Sequence, residues 1–156
     1  MKKLNTNNFY PAKNYFHDNT TLKLFLNELM KKGKKNNAEK LLENSLNILK
    51  KHEFKNPIRV LFKAIETFKP FVYSKQIRRG RYTLNIPAGL KEKKQQTSAI
   101  KWIIDGAKKR GKKNFSQNLA EEIIDILNNK GFAIKFRDES FNLANTNKAN
   151  LRTKVF

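Results

Sequence analysis

Residues 71–87 read FVYSKQIRRGRYTLNIP, and their pattern departs from everything around them. Phe71, Val72, Tyr73, Ile77, Tyr82, Thr83, Leu84 and Ile86 favour extended backbone. Tyr82, Leu84 and Ile86 alternate with polar residues, Gly80 supplies a turn, and Pro87 and Gly89 close the segment. The reading is a β-hairpin with its tip at Lys75–Gln76–Ile77–Arg78–Arg79–Gly80–Arg81.

Outward from the hairpin, apolar residues recur at helical spacing. Residues 20–32 place Leu22, Phe25, Leu26, Leu29 and Met30 on one face, and Gly33 ends that helix in the left-handed conformation. Asn36 and Glu39 form a capping pair for a second helix carrying Ala38, Leu41, Leu42, Ser45, Leu46 and Leu49. Asn56–Pro57 reads as cap and first-turn proline of a third, with Ile58, Leu61, Phe62, Ile65 and Phe68 inward, stopped by Pro70. Beyond the hairpin a fourth helix, over about 91–110, turns Ala99, Ile100, Ile103, Ile104 and Ala107 inward and ends at Gly111. Trp102 belongs to the core or its edge. Ser116 caps a fifth helix with Leu119, Ile123, Ile126 and Leu127, ended by Gly131, and a sixth over about 138–149 is weaker and polar. The fold class is therefore mainly α: a bundle of about six helices with a protruding β-hairpin arm. Residues 1–16 read as a basic N-terminal arm, 17–150 as one helical domain with the hairpin at 71–87, and 151–156 as a C-terminal tail.

The chain's 156 residues suit one domain, and 38% hydrophobic with 11% aromatic residues is enough for a core. Charge is lopsided: 34 Lys plus Arg against 13 Asp plus Glu, a net +21. A monomer so basic repels itself and calls for a polyanionic partner. No apolar run approaches the ~20 residues that span a bilayer; Lys101 interrupts even Ile100–Lys101–Trp102–Ile103–Ile104. Without Cys, disulfides and thiolate metal sites are excluded. The first 17 residues lack acids, but also lack Arg and Ser, so they read as a basic arm rather than a presequence. Seven basic residues are Arg and the other 27 are Lys. With abundant Asn, this bias suggests an A/T-rich genome.

Catalysis finds no constellation. His17 and His52 stand far apart with no nucleophile or metal-ligand motif beside them. Glu121–Glu122 and Asp138–Glu139 sit near expected helix starts, where carboxylates favour the dipole. Gly33–Lys34–Lys35 resembles the end of a phosphate-binding loop but lacks its upstream Gly and downstream Ser or Thr. No enzyme activity, cofactor or metal is expected. The basic clusters say more, because they fall at loops and ends: Lys31–Lys32–Gly33–Lys34–Lys35, the hairpin tip, Lys91–Glu92–Lys93–Lys94, and Lys108–Lys109–Arg110–Gly111–Lys112–Lys113. A bundle that gathers them has the footprint of a nucleic-acid binder. Lys suits phosphates without sequence reading, whereas Arg78, Arg79 and Arg81 suit bidentate contacts or stacking. Tyr73 and Tyr82 are expected to pack across the strands, with base stacking the alternative.

These stretches, in this order, resemble the small-subunit ribosomal protein seven family. Leu29–Met30–Lys31–Lys32–Gly33–Lys34–Lys35 followed by Ala38–Glu39 is similar to that family's first-helix exit. Asn56–Pro57 with Ala64–Ile65–Glu66 and Lys69–Pro70 leads into the hairpin as it does there, and the hairpin, running to Thr83–Leu84–Asn85–Ile86–Pro87, looks like the Arg-rich insertion. Ala99–Ile100–Lys101–Trp102 with Ala107–Lys108–Lys109–Arg110 resembles the fourth helix, Leu119–Ala120–Glu121–Glu122 with Asn128, Lys130 and Gly131 the fifth, and Asn147–Lys148–Ala149 the closing one. The resemblance covers roughly residues 17–150. Three departures stand out: the tail lacks the family's aromatic and His-rich ending, the hairpin tip has one Gly where the bacterial pattern has two, and Val-rich positions have become Tyr, Ser and Asn.

The resemblance implies a structural protein that binds the 3′ domain of small-subunit rRNA and starts assembly of the subunit head. Its hairpin would lie near the mRNA and exit-site tRNA path. The implied rRNA contacts are Lys34, Lys35, Lys75, Arg78, Arg79, Arg81, Lys94, Lys108, Lys109, Arg110, Lys112 and Lys113, with Arg78, Arg79, Gly80 and Arg81 nearest mRNA and tRNA. Implied partners are the rRNA and neighbouring head proteins, with no membrane. The Lys and Asn excess favours a ribosome of the mitochondrial matrix, the alternatives being a plastid or the cytoplasm of an A/T-rich bacterium. The competing functional reading is an architectural DNA-binding protein, since a basic hairpin on a helical body also suits DNA grooves.

Overall fold

The computed structural model describes residues 19–52, 56–111 and 114–152. The expected N-terminal arm, His17, Lys112, Lys113 and residues 153–156 of the expected tail lie outside the described residues.

Helix α1 (Thr20–Leu29) starts at Asn19, whose Oδ1 accepts the Thr21 N–H at 3.1 Å. That bond satisfies one donor which a helix start leaves open. The helix ends three residues earlier than its periodicity suggested. Met30 is already extended, and Lys32 and Gly33 take positive φ (52° and 72°) in the turn that follows. Gly33 is left-handed as expected, but within the turn and not at the helix end. Helix α2 (Lys35–Lys51) begins ahead of Asn36, with Lys34 at the cap and no capping side-chain bond, so Asn36 lies inside the first turn. Helix α3 (Pro57–Phe68) starts as its sequence dictates: Asn56 Oδ1 accepts the Arg59 N–H at 3.2 Å and Pro57 occupies the first turn.

Strands β1 (Val72–Arg79) and β2 (Tyr82–Gly89) pair antiparallel, from Val72 opposite Gly89 to Arg79 opposite Tyr82. The tip is therefore tighter than expected. Lys75, Gln76, Ile77 and Arg78 belong to β1, and only Gly80–Arg81 make the turn. Gly80 has φ 60° at the first turn position, where a type II′ hairpin needs glycine. Pro87 lies inside β2 opposite Ser74 instead of closing the hairpin; a two-stranded sheet has only edge strands, which tolerate its missing N–H.

Helix α4 (Glu92–Arg110) ends at Gly111, left-handed at φ 62° as expected. Helix α5 (Phe115–Leu127) has Asn114, and not Ser116, at its cap position, with no side-chain cap bond. Ser116 is buried instead, its Oγ donating to the Leu41 carbonyl of α2 at 3.1 Å. Gly131 does not terminate α5, which ends at Leu127. It is the cap of helix α6 (Phe132–Thr146), with φ 104°. Helix α6 starts six residues before the expected sixth helix, because Ala133 and Ile134 bury at its beginning. A 3-10 helix (Lys148–Arg152) follows.

The core lies around α4 and α5. Helix α5 contacts α2, α3, α4 and α6, while α4 also reaches α1 and α3. Phe25, Leu42, Leu61, Phe68, Ile103 and Leu119 are among its fully buried side chains. Trp102 sits at the core edge, as read, with its ring edge-on to Phe68 at 5.9 Å. The hairpin rests on α6 and the 3-10 helix, where Asn150 Nδ2 donates to the Asn85 carbonyl at 2.9 Å. No helix among the described residues is long and apolar enough to cross a membrane.

Candidate nucleic-acid interface

Helix α4 sets the layout of the candidate cations. Its 19 residues span about 28 Å at about 1.5 Å per residue. Lys94 is exposed near its start, beside the hairpin base, and Lys108, Lys109 and Arg110 stand at its far end. The candidate cations on α4 thus fall into two groups, one at each end of the helix.

At the far end, the α1–α2 turn brings Lys31 and Lys34 to the same groove as Lys108. Lys35 follows as the exposed first residue of α2. Lys109 lies over the Phe132 and Phe136 rings of α6, 5.4 and 5.2 Å from their centroids, and remains exposed. Such cation–π contacts hold an ammonium in place without neutralising it.

At the near end, the hairpin's eight-residue strands extend about 27 Å at about 3.4 Å per residue. Residues opposite each other share a face, and neighbours along a strand do not. Lys75, Arg79 and Tyr82 therefore share one face, Arg78 and Thr83 the other, and Gly80–Arg81 the end. Lys75, Arg78, Arg79 and Arg81 are all exposed. Arg78 Nε donates to the Gly80 carbonyl at 3.4 Å, a bond that leaves its charge unmatched. Tyr73 is half-buried opposite Ala88. Tyr82 departs from the expected cross-strand packing: 77% exposed, it stands beside Arg79 at the tip.

Arg110 is placed differently from the other candidates. Its Nε donates to Glu122 Oε2 at 2.6 Å, its Nη2 bonds Asp125, and its Nη1 lies 3.6 Å from Glu121. Burial alone would lower its pKa. The hydrogen bonds and charges of Asp125 and Glu122 outweigh that and raise it above the ordinary guanidinium value. A raised folded-state pKa contributes stability that is fully present below the unfolded value and is lost only as pH climbs beyond it. For Arg110 that window lies above the ordinary guanidinium range, so its contribution is constant through neutral pH.

Glu122 is the residue that sequence reasoning placed wrongly. It was expected near a helix start, yet it sits inside α5 and is fully buried. Its other oxygen, Oε1, accepts the Ala133 N–H at 2.7 Å. It therefore caps α6, whose own cap residue, Gly131, has no side chain to do so. Asp138 likewise lies inside α6, paired with Arg137 at 2.9 Å. The signal for Glu122 was present: it falls on the stripe of Leu119, Ile123 and Ile126.

Four further acids hold Lys side chains. Glu28 meets Lys101, Glu66 and Glu92 meet Lys69, and Asp105 meets Lys108. Among the described residues, Lys34, Lys75, Arg78, Arg79, Arg81 and Lys94 hold no ion pair. His52 is exposed at the end of α2, and no cluster of His, Cys, Asp or Glu among the described residues can hold a metal.

Residues 2–148 match the family model described as ribosomal protein S7p/S5e. The chain belongs to this family. Similar proteins named small ribosomal subunit protein uS7 occur in Acidiphilium cryptum (36% identity, 80% of each chain) and Teredinibacter turnerae (35%, 84% of each). A third, from Marinobacter nauticus, is 35% identical over 80% of each chain. As a member of the S7p/S5e family the protein is a structural ribosomal protein and not an enzyme.

Proposed function

We propose that this protein binds the 3′ domain of small-subunit rRNA through the two basic groups and nucleates folding of the subunit head. The observation that carries the reading is the distribution of charge. Three acids are taken up by Arg110, while Lys34 at the far end of α4 and Lys75, Arg78, Arg79, Arg81 and Lys94 at the near end hold no ion pair. A rigid helix that separates two cationic groups by about 20 Å suits two backbone segments of a folded RNA, which proteins recognise largely by shape.

In this reading Lys34, Lys35, Lys108 and Lys109 bind backbone at the far end, and Lys75 and Lys94 at the near end; Lys112 and Lys113, outside the described residues, stay rRNA contacts by the resemblance alone. Arg110 is left to hold α4, α5 and α6 together. Arg78, Arg79, Gly80 and Arg81 form an arm with cations on both faces, shaped to enter between RNA elements near the mRNA and exit-site tRNA path. Neighbouring head proteins complete its surroundings. The composition supports a mitochondrial ribosome, although the three relatives are bacterial; a plastid or bacterial location would emerge from cell fractionation.

Competition tests the RNA reading. A 3′-domain rRNA transcript must displace the protein from duplex DNA of equal charge. Replacing Lys34, Lys35, Lys108 and Lys109 with Ala must weaken rRNA binding and lower the salt slope by about one for each phosphate no longer neutralised. Equal affinity for duplex DNA would favour the architectural DNA-binding reading, and unchanged rRNA affinity in the variant would remove the far-end group from the site.

A further inference from the structure

The far-end cations surround a groove of about 350 Å³. Its floor is apolar: Leu29 and Ala38 are buried, and Leu41 and the Phe115 ring are half-buried. The Leu41 carbonyl accepts from Ser45 Oγ at 2.7 Å and from Ser116 Oγ at 3.1 Å, so the floor's polar group is satisfied from within. The rim is exposed and polar, made of Lys31, Lys34, Asn37 and Lys108. Among the described residues no acid lines it, and Asp105 holds Lys108 in an exposed pair of the kind worth little in water.

We infer that this groove is a nucleobase site, which takes one unstacked nucleotide of the bound rRNA. The inference rests on the rRNA-binding reading and deepens it. Each part of a nucleotide meets a matching group. The flat base lies on the apolar floor beside the Phe115 ring, as unpaired bases do on aromatic side chains. Its phosphates face Lys31, Lys34 and Lys108. The Asn37 amide, which carries both a donor and an acceptor, faces the base edge. The volume is at the low end of the ~300–1,000 Å³ typical of small-ligand sites. That is room for a planar group the size of a nucleobase. A groove for an apolar protein segment has no use for three cations on its rim, and a phosphate-only site has no use for the apolar floor.

The test fills the groove without touching its charges. Asn37→Trp places an indole over the floor from an exposed helix position, and Asn37→Ala leaves the groove open. A 3′-domain transcript of small-subunit rRNA is footprinted with base-specific reagents and with hydroxyl radicals. Wild-type protein should shield the base of one unpaired nucleotide. N37W should expose that base while the backbone footprint at saturating protein stays the same; N37A, which loses only the amide at the base edge and leaves the floor open, should shield it less than wild type but more than N37W. At lower protein concentration N37W should bind roughly 5- to 150-fold more weakly, the span of one base–aromatic stack. If N37W lowers the helical circular dichroism, the smaller filler Asn37→Leu carries the same test. Identical base protections in wild type and filled variant overturn the inference and leave rRNA binding standing. A wild type that leaves no footprint at all overturns both.

Discussion

Glu122 is an acid with no exposed surface, held between Arg110 of α4 and the first turn of α6. Two glycines make room for it. A Cβ on Gly106 or on Gly131 would stand 2.8 Å from its Oε1, closer than real Cβ atoms come. Removing one partner of a buried ion pair typically costs about 3–5 kcal/mol, because the other charge stays buried and unpaired. Against a usual total of about 5–15 kcal/mol, Glu122→Ala should lower the denaturation midpoint sharply; a change under about 1 kcal/mol would show the node to be dispensable. Gly106→Ala decides between two effects of opposite sign. Alanine in a helix interior gains up to about 1 kcal/mol over glycine, but here its methyl also meets the Ala133 backbone nitrogen at 3.1 Å. A lower melting temperature is expected for G106A, and a higher one would show that the site can relax around the methyl. The stripe of Leu119, Ile123 and Ile126 carried the signal that Glu122 lies on the buried face, although its position was read as a helix start. Its partner was not legible, since Arg110 lies 12 residues away inside a Lys run that reads as solvent-facing.

Element existence was legible, and element edges were legible only where a local signal fixed them. Asn56–Pro57 and Gly111 act where they do because a cap bond and a left-handed residue are local events. Ser116 and Gly131 misled because tertiary packing reassigned them, Ser116 to the Leu41 carbonyl and Gly131 to the start of α6. The hairpin was found by strand propensity, but its register follows from the two-residue turn at Gly80–Arg81, which draws Lys75 and Arg78 into the strand. The candidate cations were legible one by one, while their division into two groups needed the length and packing of α4. With its base fixed by α6 and the 3-10 helix, the arm's tip carries no fold-critical packing. Replacing Arg78, Arg79 and Arg81 with Ala should therefore leave thermal stability within about 0.5 kcal/mol. It should impair translation by assembled subunits more than entry into them. Variants that fail to enter subunits at all would make the arm an assembly anchor instead.

At the scale of the whole molecule, +21 on 156 residues implies a polyanion, but charge alone does not choose between RNA and DNA. Both would give steep salt dependence, since a protein neutralising about 6–10 phosphates loses roughly 10³–10⁵ in duplex affinity between 50 and 200 mM salt. Membership of a ribosomal protein family favours RNA. The measurement that tests it most directly is sedimentation of the native protein from lysate through a sucrose gradient, with and without RNase. Co-migration with the small subunit, abolished by RNase, is the predicted result. Free migration, or co-migration with DNA that survives RNase, would contradict it.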